Sequence, residues 1–359
     1  MHAAQRQDAI LQLLRRYGSV RVTALAERFK VAQLTIRRDI ALLHERGDLV
    51  RVHGGAVLPR PGDDAPAGAA EPAAPRPGKQ RAIGMLVPAA TLYFHELIRG
   101  AQAAAAAHHV RLVVGVSRHD QQEDLIQAER LLDAGAEGLL LTPSAAAPVP
   151  AWAPTLPVPV VFVERRQPVD VDLIEYVASD HELGAVQALR HLAELGHRKI
   201  AVITQTTPTS ALIHRGYQMV ADAIGLDKDV PRVDMFSMDG LDDVLEEALS
   251  AGVTAVLAHS DDVAIAVQQR LLSRGLAVPD DVALVAYDDV FAALADIPIT
   301  AVSPPRRAIA RTGVEMLLRR MRAGDGPIKR HVHLMPTLRV RTSTMGERAP
   351  LPAPEREEA

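Results

Sequence analysis

Arg37 and Arg38, with Gln33 and Thr35 in the turn ahead of them, are side chains that could read nucleic acid. A guanidinium forks onto the major-groove edge of guanine, a carboxamide pairs with adenine, and apolar groups meet the thymine methyl. All four lie in QLTIRRDIALLHE (residues 33–45), where Ile36, Ile40 and Leu43 recur at i, i+4 and i+7. That spacing predicts a helix with one apolar stripe, which leaves Leu34, Arg37, Arg38 and Ala41 on a face free for a groove of DNA. Alone, a pair of charges on a helix is more often a solvated face. The surroundings therefore decide.

Those surroundings are basic. Residues 1–60 carry eleven Lys/Arg against five Asp/Glu, a balance of +6. The whole chain of 359 residues has 40 basic and 44 acidic side chains, so the rest holds 29 against 39, or −10. A basic head on an acidic body implies a polyanionic partner for the head alone. With 48% hydrophobic residues and 23% charged, the chain can bury a large core, and its length suits two or three folding units. No cysteine is present, which excludes disulfides, thiolate metal sites and thiol catalysis. The first residues lack the apolar stretch of a signal peptide, and no run is long enough to span a bilayer, so a cytoplasmic location and no membrane partner are expected.

Within the head, Ile10, Leu11, Leu13, Leu14 and Tyr17 predict a first helix over about Gln5 to Tyr17, ended by Gly18. A second begins near Thr23 and buries Leu25, Ala26 and Phe29. After Gly47, DLVRVHGGAVLP reads as two short strands joined at Gly54-Gly55. The sum is three helices and a β-wing. On these residues, in particular ALA at 24–26, FKV at 29–31, TIRRD at 35–39 and RVHGGA at 51–56, the head resembles the winged helix-turn-helix of the DeoR family. The resemblance implies that the third helix enters the major groove of double-stranded operator DNA with the wing beside it. Gln33, Thr35, Arg37, Arg38, Arg51 and His53 are then the DNA-binding candidates. His53 reads equally well as a surface turn residue. Ala32 departs from the family's serine at the helix N-cap, a loss of roughly 1 kcal/mol in capping.

Residues 59–80 are rich in Pro, Ala and Gly without periodicity and read as a flexible tether after a head of residues 1–58. From residue 81 to 345, apolar runs (IGMLV, VRLVVGV, GLLLTP, PVVFV, KIAVIT, TAVLAHS, VALVAYDD) alternate with helical patterns. Such alternation predicts an α/β body of parallel sheet with helices on both faces. Ligands of these sheets lie beyond the carboxyl ends of the strands. Tyr93 and Phe94, Arg165, Thr209, Asp261 and Asp288 follow those runs, and aromatic faces with an arginine and carboxylates suit a polyol. Each has a blander reading: Asp261 could cap a helix, Arg165 could be a solvated charge beside Arg166, and the two aromatics could staple a helix to the core.

The body resembles the sugar-responsive sensor of the LacI family, itself similar to periplasmic sugar-binding proteins. IGMLVP at 83–88, VASDHELG at 177–184, ELGHRKI at 194–200, HSDDVAIA at 259–266, VPDDV at 278–282, YDD at 287–289 and TLRVRTST at 337–344 carry that likeness. It implies two lobes, about 81–178 with 303–333 and 179–302 with 334–345, exchanging chain near Ala178, Val302 and Leu334. Sugar would lie between them. Glu164 replaces the family's Asp before Arg165, Ser260 replaces the Asn before Asp261, and Pro304 stands where a polar ligand residue often occurs.

The expected protein is a transcriptional regulator, in the first instance a repressor, that responds to a small sugar or sugar derivative and acts as a homodimer or tetramer. A transport-type sugar-binding protein and a sugar-processing enzyme are the alternatives. No catalytic motif is present, no cofactor is expected, and His108-His109 and His331-x-His333 lack the further ligands of a metal site. Residues 346–359 are expected to form a disordered tail.

Overall fold

Ile36, Ile40 and Leu43 are all buried, so the apolar stripe of the third helix does face a core. The computed structural model describes residues 3–17, 19–31, 35–36, 39–40, 42–43, 48–52, 55–57, 81–144, 150–166, 174–323 and 329–345. Gln33, Arg37, Arg38, His53, the tether and the tail lie outside the described residues. The chain divides into two units, residues 1–76 and 77–359.

In the first unit, α1 (Ala3–Tyr17) and α2 (Val22–Phe29) pack with the third helix around Ile10, Leu14, Leu25, Ile36, Ile40 and Leu43. Thr35 is half-buried at that third helix. A three-stranded antiparallel sheet joins β1 (Ser19–Arg21), β3 (Gly55–Val57) and β2 (Val50–Val52) in that order. The wing therefore has one strand more than the sequence pattern indicated, because the three residues after Gly18 pair with β3 at Val20 and Ala56. Arg51 sits at the centre of β2, opposite Ala56. A buried ion pair fastens the third helix to the first. Arg6 Nε lies 2.5 Å from Asp39 Oδ2, and Gln7 Nε2 donates to Asp39 Oδ1 at 3.1 Å. The hydrogen bond that Arg6 donates to Asp39 holds the Arg6 guanidinium above its ordinary pKa.

The second unit is built on two six-stranded sheets. One has the order β14-β8-β7-β6-β4-β5 and the other β10-β9-β11-β12-β13-β15. In the first, β4 (Ala82–Val87) is buried along its whole length, as a strand covered by helices on both faces must be. Beside it run β5 (Arg111–Val116), β6 (Ala136–Leu141), β7 (Val160–Val163) and β8 (Glu175–Ser179). Helices α3 (Leu92–Ala107) and α4 (Gln121–Asp133) connect them, and Asp120 caps α4 by accepting from Gln122 N at 2.8 Å.

The chain crosses to the second sheet after Ser179 and enters α5 (His181–Glu194), with Asp180 capping through Leu183 N at 3.1 Å. There follow β9 (Ile200–Gln205), α6 (Ser210–Val220), β10 (Arg232–Met235), α7 (Leu241–Ser250) and β11 (Ala255–His259). Next come α8 (Asp261–Ser273), β12 (Ala283–Tyr287) and β13 (Thr300–Ser303). The chain returns through Pro304-Pro305 into α9 (Arg306–Ala323) and β14 (His331–Leu334), then crosses a third time into β15 (Thr337–Arg339) and α10 (Thr342–Met345). All pairings of the two sheets are parallel except β13 with β15, where Val302 faces Leu338. The α/β body of parallel sheet read from the sequence is therefore present, with one antiparallel pair at an edge. Only two residues separate β14 from β15, and no helix intervenes to restore the strand direction.

A side chain at Gly184 of α5 would collide with the hydroxyl of Tyr287 on β12. Gly184→Ala is therefore expected to displace that hydroxyl and destabilise the second unit by about 1–3 kcal/mol. Thermal unfolding of the variant, with Gly138→Ala as the comparison at a flexible-side-chain contact, checks this. Equal losses at the two sites would refute it.

Candidate functional site

The residues that follow β4, β7 and β12 converge where the chain passes between the sheets. Tyr93, in the first turn of α3, donates its hydroxyl to Glu164 Oε1 at 3.1 Å. Glu164 ends β7 in a left-handed conformation (φ 55°) and is buried. Its other oxygen accepts from Ser179 N at 3.3 Å and lies 3.4 Å from His181 Nε2. Burial works to raise the Glu164 carboxyl, but the hydrogen bond and charge of His181, the Ser179 N–H and the Tyr93 hydroxyl outweigh it and hold it below the usual range. His181 Nδ1 in turn lies 3.3 Å from the Tyr287 hydroxyl, whose proton goes to the His181 carbonyl at 3.1 Å. A continuous buried polar chain thus runs from the first sheet (Tyr93, Glu164) to the second (His181, Tyr287).

Arg165 lies alongside. Its Nε donates to Pro143 O at 2.7 Å and its Nη1 to Glu164 O at 2.8 Å. These two carbonyls fix the plane of the guanidinium, and Nη2 makes no hydrogen bond to a described residue. Burial lowers the Arg165 pKa. The neighbouring Arg166 is not merely solvated. It ion-pairs with Glu182 and donates to Ser179 O at 3.0 Å, bracing the first crossover.

Asp288 follows β12 at φ 98°, a conformation unusual for a side chain larger than glycine. Neither of its carboxylate oxygens accepts a hydrogen bond from a described residue, and His259 Nε2 is 3.9 Å from Oδ2. Burial pushes the Asp288 carboxyl up to about 6, against the pull of His181 and Arg306. His259 is buried beside Tyr287, at 5.6 Å between ring centroids, and burial takes it down to about 3, so it is neutral near pH 7. Its Nδ1 has no hydrogen-bond partner. Tyr93, Arg165 and Asp288 thus present an aromatic face, a free guanidinium edge and a free carboxylate, the donor, acceptor and stacking surface that a polyhydroxylated ligand requires.

Two of the expected ligand residues do other work. Phe94 is buried in the core of the first sheet with Leu97 and Ala101, and meets Tyr93 edge-on at 5.3 Å. Of the aromatic pair, only Tyr93 faces polar groups. The Asp261 carboxylate accepts hydrogen bonds from the loop after β12. Its Oδ1 accepts from Asp289 N at 3.2 Å, and its Oδ2 accepts from Val290, Phe291 and Ala292 N at 2.5, 2.6 and 3.0 Å. It anchors the loop that presents Asp288. Burial nevertheless pushes Asp261 up to about 6. Thr209 is half-buried at the start of α6, where its N–H meets Thr207 Oγ1 at 3.3 Å, and no described contact joins it to the other candidates.

Sequence reasoning placed Glu164 only as a replacement beside Arg165, and missed His181, Tyr287, His259 and Arg306 as parts of this cluster. Glu164 and His181 were signalled by their places at a strand end and a crossover, whereas nothing local marks Tyr287 or Arg306. His331 and His333 both stack on Tyr176, with ring centroids at 4.2 and 5.6 Å. Among the described residues no group of three His, Asp or Glu is placed to hold a metal ion, and no helix is long and apolar enough to cross a membrane.

Asp288 gives a pH-dependent expectation. Its value is about 6 in the folded chain against an ordinary 3.8. Between those values the folded chain keeps a proton that the unfolded chain has released, so stability falls as pH rises through the window and levels off above it. Asp288→Asn removes that penalty. It is expected to raise the melting temperature at about pH 7.5 by a few degrees, corresponding to ~2 kcal/mol, and to leave it unchanged near pH 4. Matched unfolding curves at both pH values check this, and a lower melting temperature at the higher pH would contradict it.

A helix-turn-helix head and a body of two parallel-dominated sheets define a DNA-binding transcriptional regulator with a ligand sensor. Residues 6–61 match the DeoR-like helix-turn-helix domain, and residues 189–344 match the periplasmic binding protein-like domain. The chain is 24% identical over 341 residues to the arabinose metabolism transcriptional repressor of Geobacillus stearothermophilus, covering 89% of each chain. It is 29% identical over 254 residues to the ribose operon repressor of Escherichia coli (strain K12), covering 67% of this chain and 75% of that one. Among solved structures, the transcriptional regulator CelR in complex with cellobiose superposes with a TM-score of 0.62 at 26% identity, covering 74% of this chain and 85% of that one.

Proposed function

We propose that this protein is a sugar-responsive transcriptional repressor, made of a head (residues 1–58), a flexible tether (59–80) and a sensor (81–345). The observation that carries the sugar reading is that the Asp288 carboxylate accepts no hydrogen bond from a described residue, that Arg165 Nη2 donates none to one, and that both charges lie close enough to Tyr93 to act on it. The relatives support it: two are named as repressors of arabinose and ribose systems, and a third holds cellobiose. The effector is a neutral sugar rather than a sugar phosphate. Glu164 and Asp288 bring two carboxylates to the site, and Arg165 and Arg306 bring two guanidiniums, each of which donates to two main-chain carbonyls. The two carboxylates offset the two guanidiniums, so a phosphate would find no net positive charge to hold it.

The head binds a two-fold operator as half of a homodimer in the cytoplasm, with Gln33, Thr35, Arg37 and Arg38 at bases or phosphates, Arg51 at phosphate and His53 in the wing beside it. It catalyses no reaction. A tether of the kind that its Pro/Ala/Gly composition predicts transmits little torque, so effector acts by changing dimer geometry and hence the effective concentration of one head relative to the other. A thermal-shift screen of neutral sugars and sugar phosphates on wild type, Arg165→Ala and Asp288→Ala tests the sensor. A neutral sugar is expected to raise the melting temperature of the wild type alone, and an equal rise in all three would place the ligand elsewhere.

A further inference from the structure

Arg306 is the first residue of α9 and follows Pro304-Pro305 at the second crossover. Its helix packs on the first sheet, and the adjacent Arg307 is pinned there by Glu96 of α3 at 2.5 Å. The guanidinium of Arg306 nevertheless reaches the second sheet. Nη1 donates to the carbonyl of Asp288, and Nη2 donates to the carbonyl of Asp289 at 3.3 Å. At the same time its Cζ lies 5.3 Å from the centroid of the Tyr93 ring. One planar group thus touches the aromatic on one side of the cleft and the acidic loop on the other.

The loop needs such a support. Asp288 and Asp289 have φ values of 98° and 54°, two successive non-glycine residues in the left-handed region. Strained backbone persists only where its surroundings over-determine it. Asp261 holds the N–H groups of residues 289–292, and Arg341 holds the Asp289 carboxylate at 2.8 Å. Neither bonds the carbonyl of Asp288, the residue whose carboxylate is offered to ligand. Arg306 does.

We propose that Arg306 is a positioning residue for the effector: its guanidinium fork fixes the Asp288–Asp289 backbone so that the Asp288 carboxylate faces the Tyr93 ring. By the same bonds it ties the second crossover to the state of the cleft. This inference rests on the sugar-sensor reading for its consequence, but the loop geometry it asserts is measurable without any sugar. The requirement is for a planar fork with two parallel donor edges and a flat face for the aromatic ring, which lysine does not supply although it keeps the charge.

The test uses the full-length protein as wild type, Arg306→Lys and Arg306→Met. Without sugar, amide hydrogen exchange across residues 289–292 is expected to quicken at least ~10-fold in both variants, while the amides of α9 beyond its first turn and of β4 stay as in wild type. The pH dependence separates positioning from charge. His181, Glu164, Asp262 and Arg306 act on the Asp288 carboxyl, with His259, Asp261, Tyr93 and Tyr287 also around it. Losing the cation in Arg306→Met is expected to move the pH midpoint of Asp288 ionisation upward, and Arg306→Lys to leave it near wild type. With D-ribose as probe, both variants are expected to lose at least ~10-fold in affinity. Wild-type exchange across residues 289–292 in Arg306→Met, or full restoration of that protection by lysine, would overturn the proposal. Should Arg306→Met fail to fold, exchange in Arg306→Lys decides alone. If wild type ignores D-ribose and every other neutral sugar while the exchange result holds, the sensor reading fails and the positioning role stands.

Discussion

Asp39→Ala is expected to unfold the amino-terminal unit and abolish duplex binding, although Asp39 is buried and faces away from any groove. Its carboxylate receives Arg6 Nε at 2.5 Å, Arg6 Nη2 at 3.3 Å and Gln7 Nε2 at 3.1 Å, all from α1. Removing one partner of a buried ion pair typically costs about 3–5 kcal/mol, because the other charge stays desolvated with its main partner gone. A unit of some sixty residues has little more stability than that to lose. Asp39→Asn, which keeps an acceptor, is expected to be intermediate. The double change Arg6→Met with Asp39→Leu is expected to recover most of the loss, as a hydrophobic pair replacing an ion pair often does. Salt-dependent binding of the full chain to a duplex, together with hydrogen exchange of α1, reads the outcome. A fully protected α1 in Asp39→Ala would show that the pair contributes nothing to the fold.

The same aspartate shows what was legible in the sequence. TIRRD read as a helix because Ile36, Ile40 and Leu43 repeat at helical spacing, and those three side chains do lie in the core. The buried role of Asp39 was not legible, since its partners Arg6 and Gln7 lie about thirty residues away and read locally as solvated charge. In the body, strands such as IGMLV announced themselves because parallel strands covered on both faces must be apolar throughout. The strand-end rule then picked out Tyr93, Arg165 and Asp288. It could not separate Tyr93 from Phe94, although helical spacing could have: Phe94, Leu97 and Ala101 fall at i, i+3 and i+7 and are all buried. His181 and Tyr287 are 106 residues apart, and only the register of two chain segments brings them together. The antiparallel β15 follows from a connection too short to hold a helix, a cue present in the sequence but weak beside the strong parallel pattern.

Asp261 was legible as a residue of the cleft but not in its role, because its partners are main-chain N–H groups, which are written by no particular letter. Asp261→Ala leaves the amides of residues 289–292 without their acceptor. At about 1–3 kcal/mol for each buried donor left unpaired, and with partial rescue by water, the expected loss is on the order of 3–5 kcal/mol. The melting temperature is then expected to fall by at least ~6 °C for a unit of this size. In Asp261→Asn one oxygen remains and can keep the three bonds made by Oδ2, so a much smaller loss is expected. Because Asp288 immediately precedes these amides, Asp261→Ala also loses the sugar response, through the loop rather than through a missing ligand contact. The two origins separate cleanly. A direct ligand contact predicts lost sugar binding at an unchanged melting temperature, whereas an anchor predicts that both fall together and that asparagine largely restores both. Thermal unfolding and neutral-sugar titration of the two variants decide between them, and unchanged stability in Asp261→Ala would return Asp261 to the ligand.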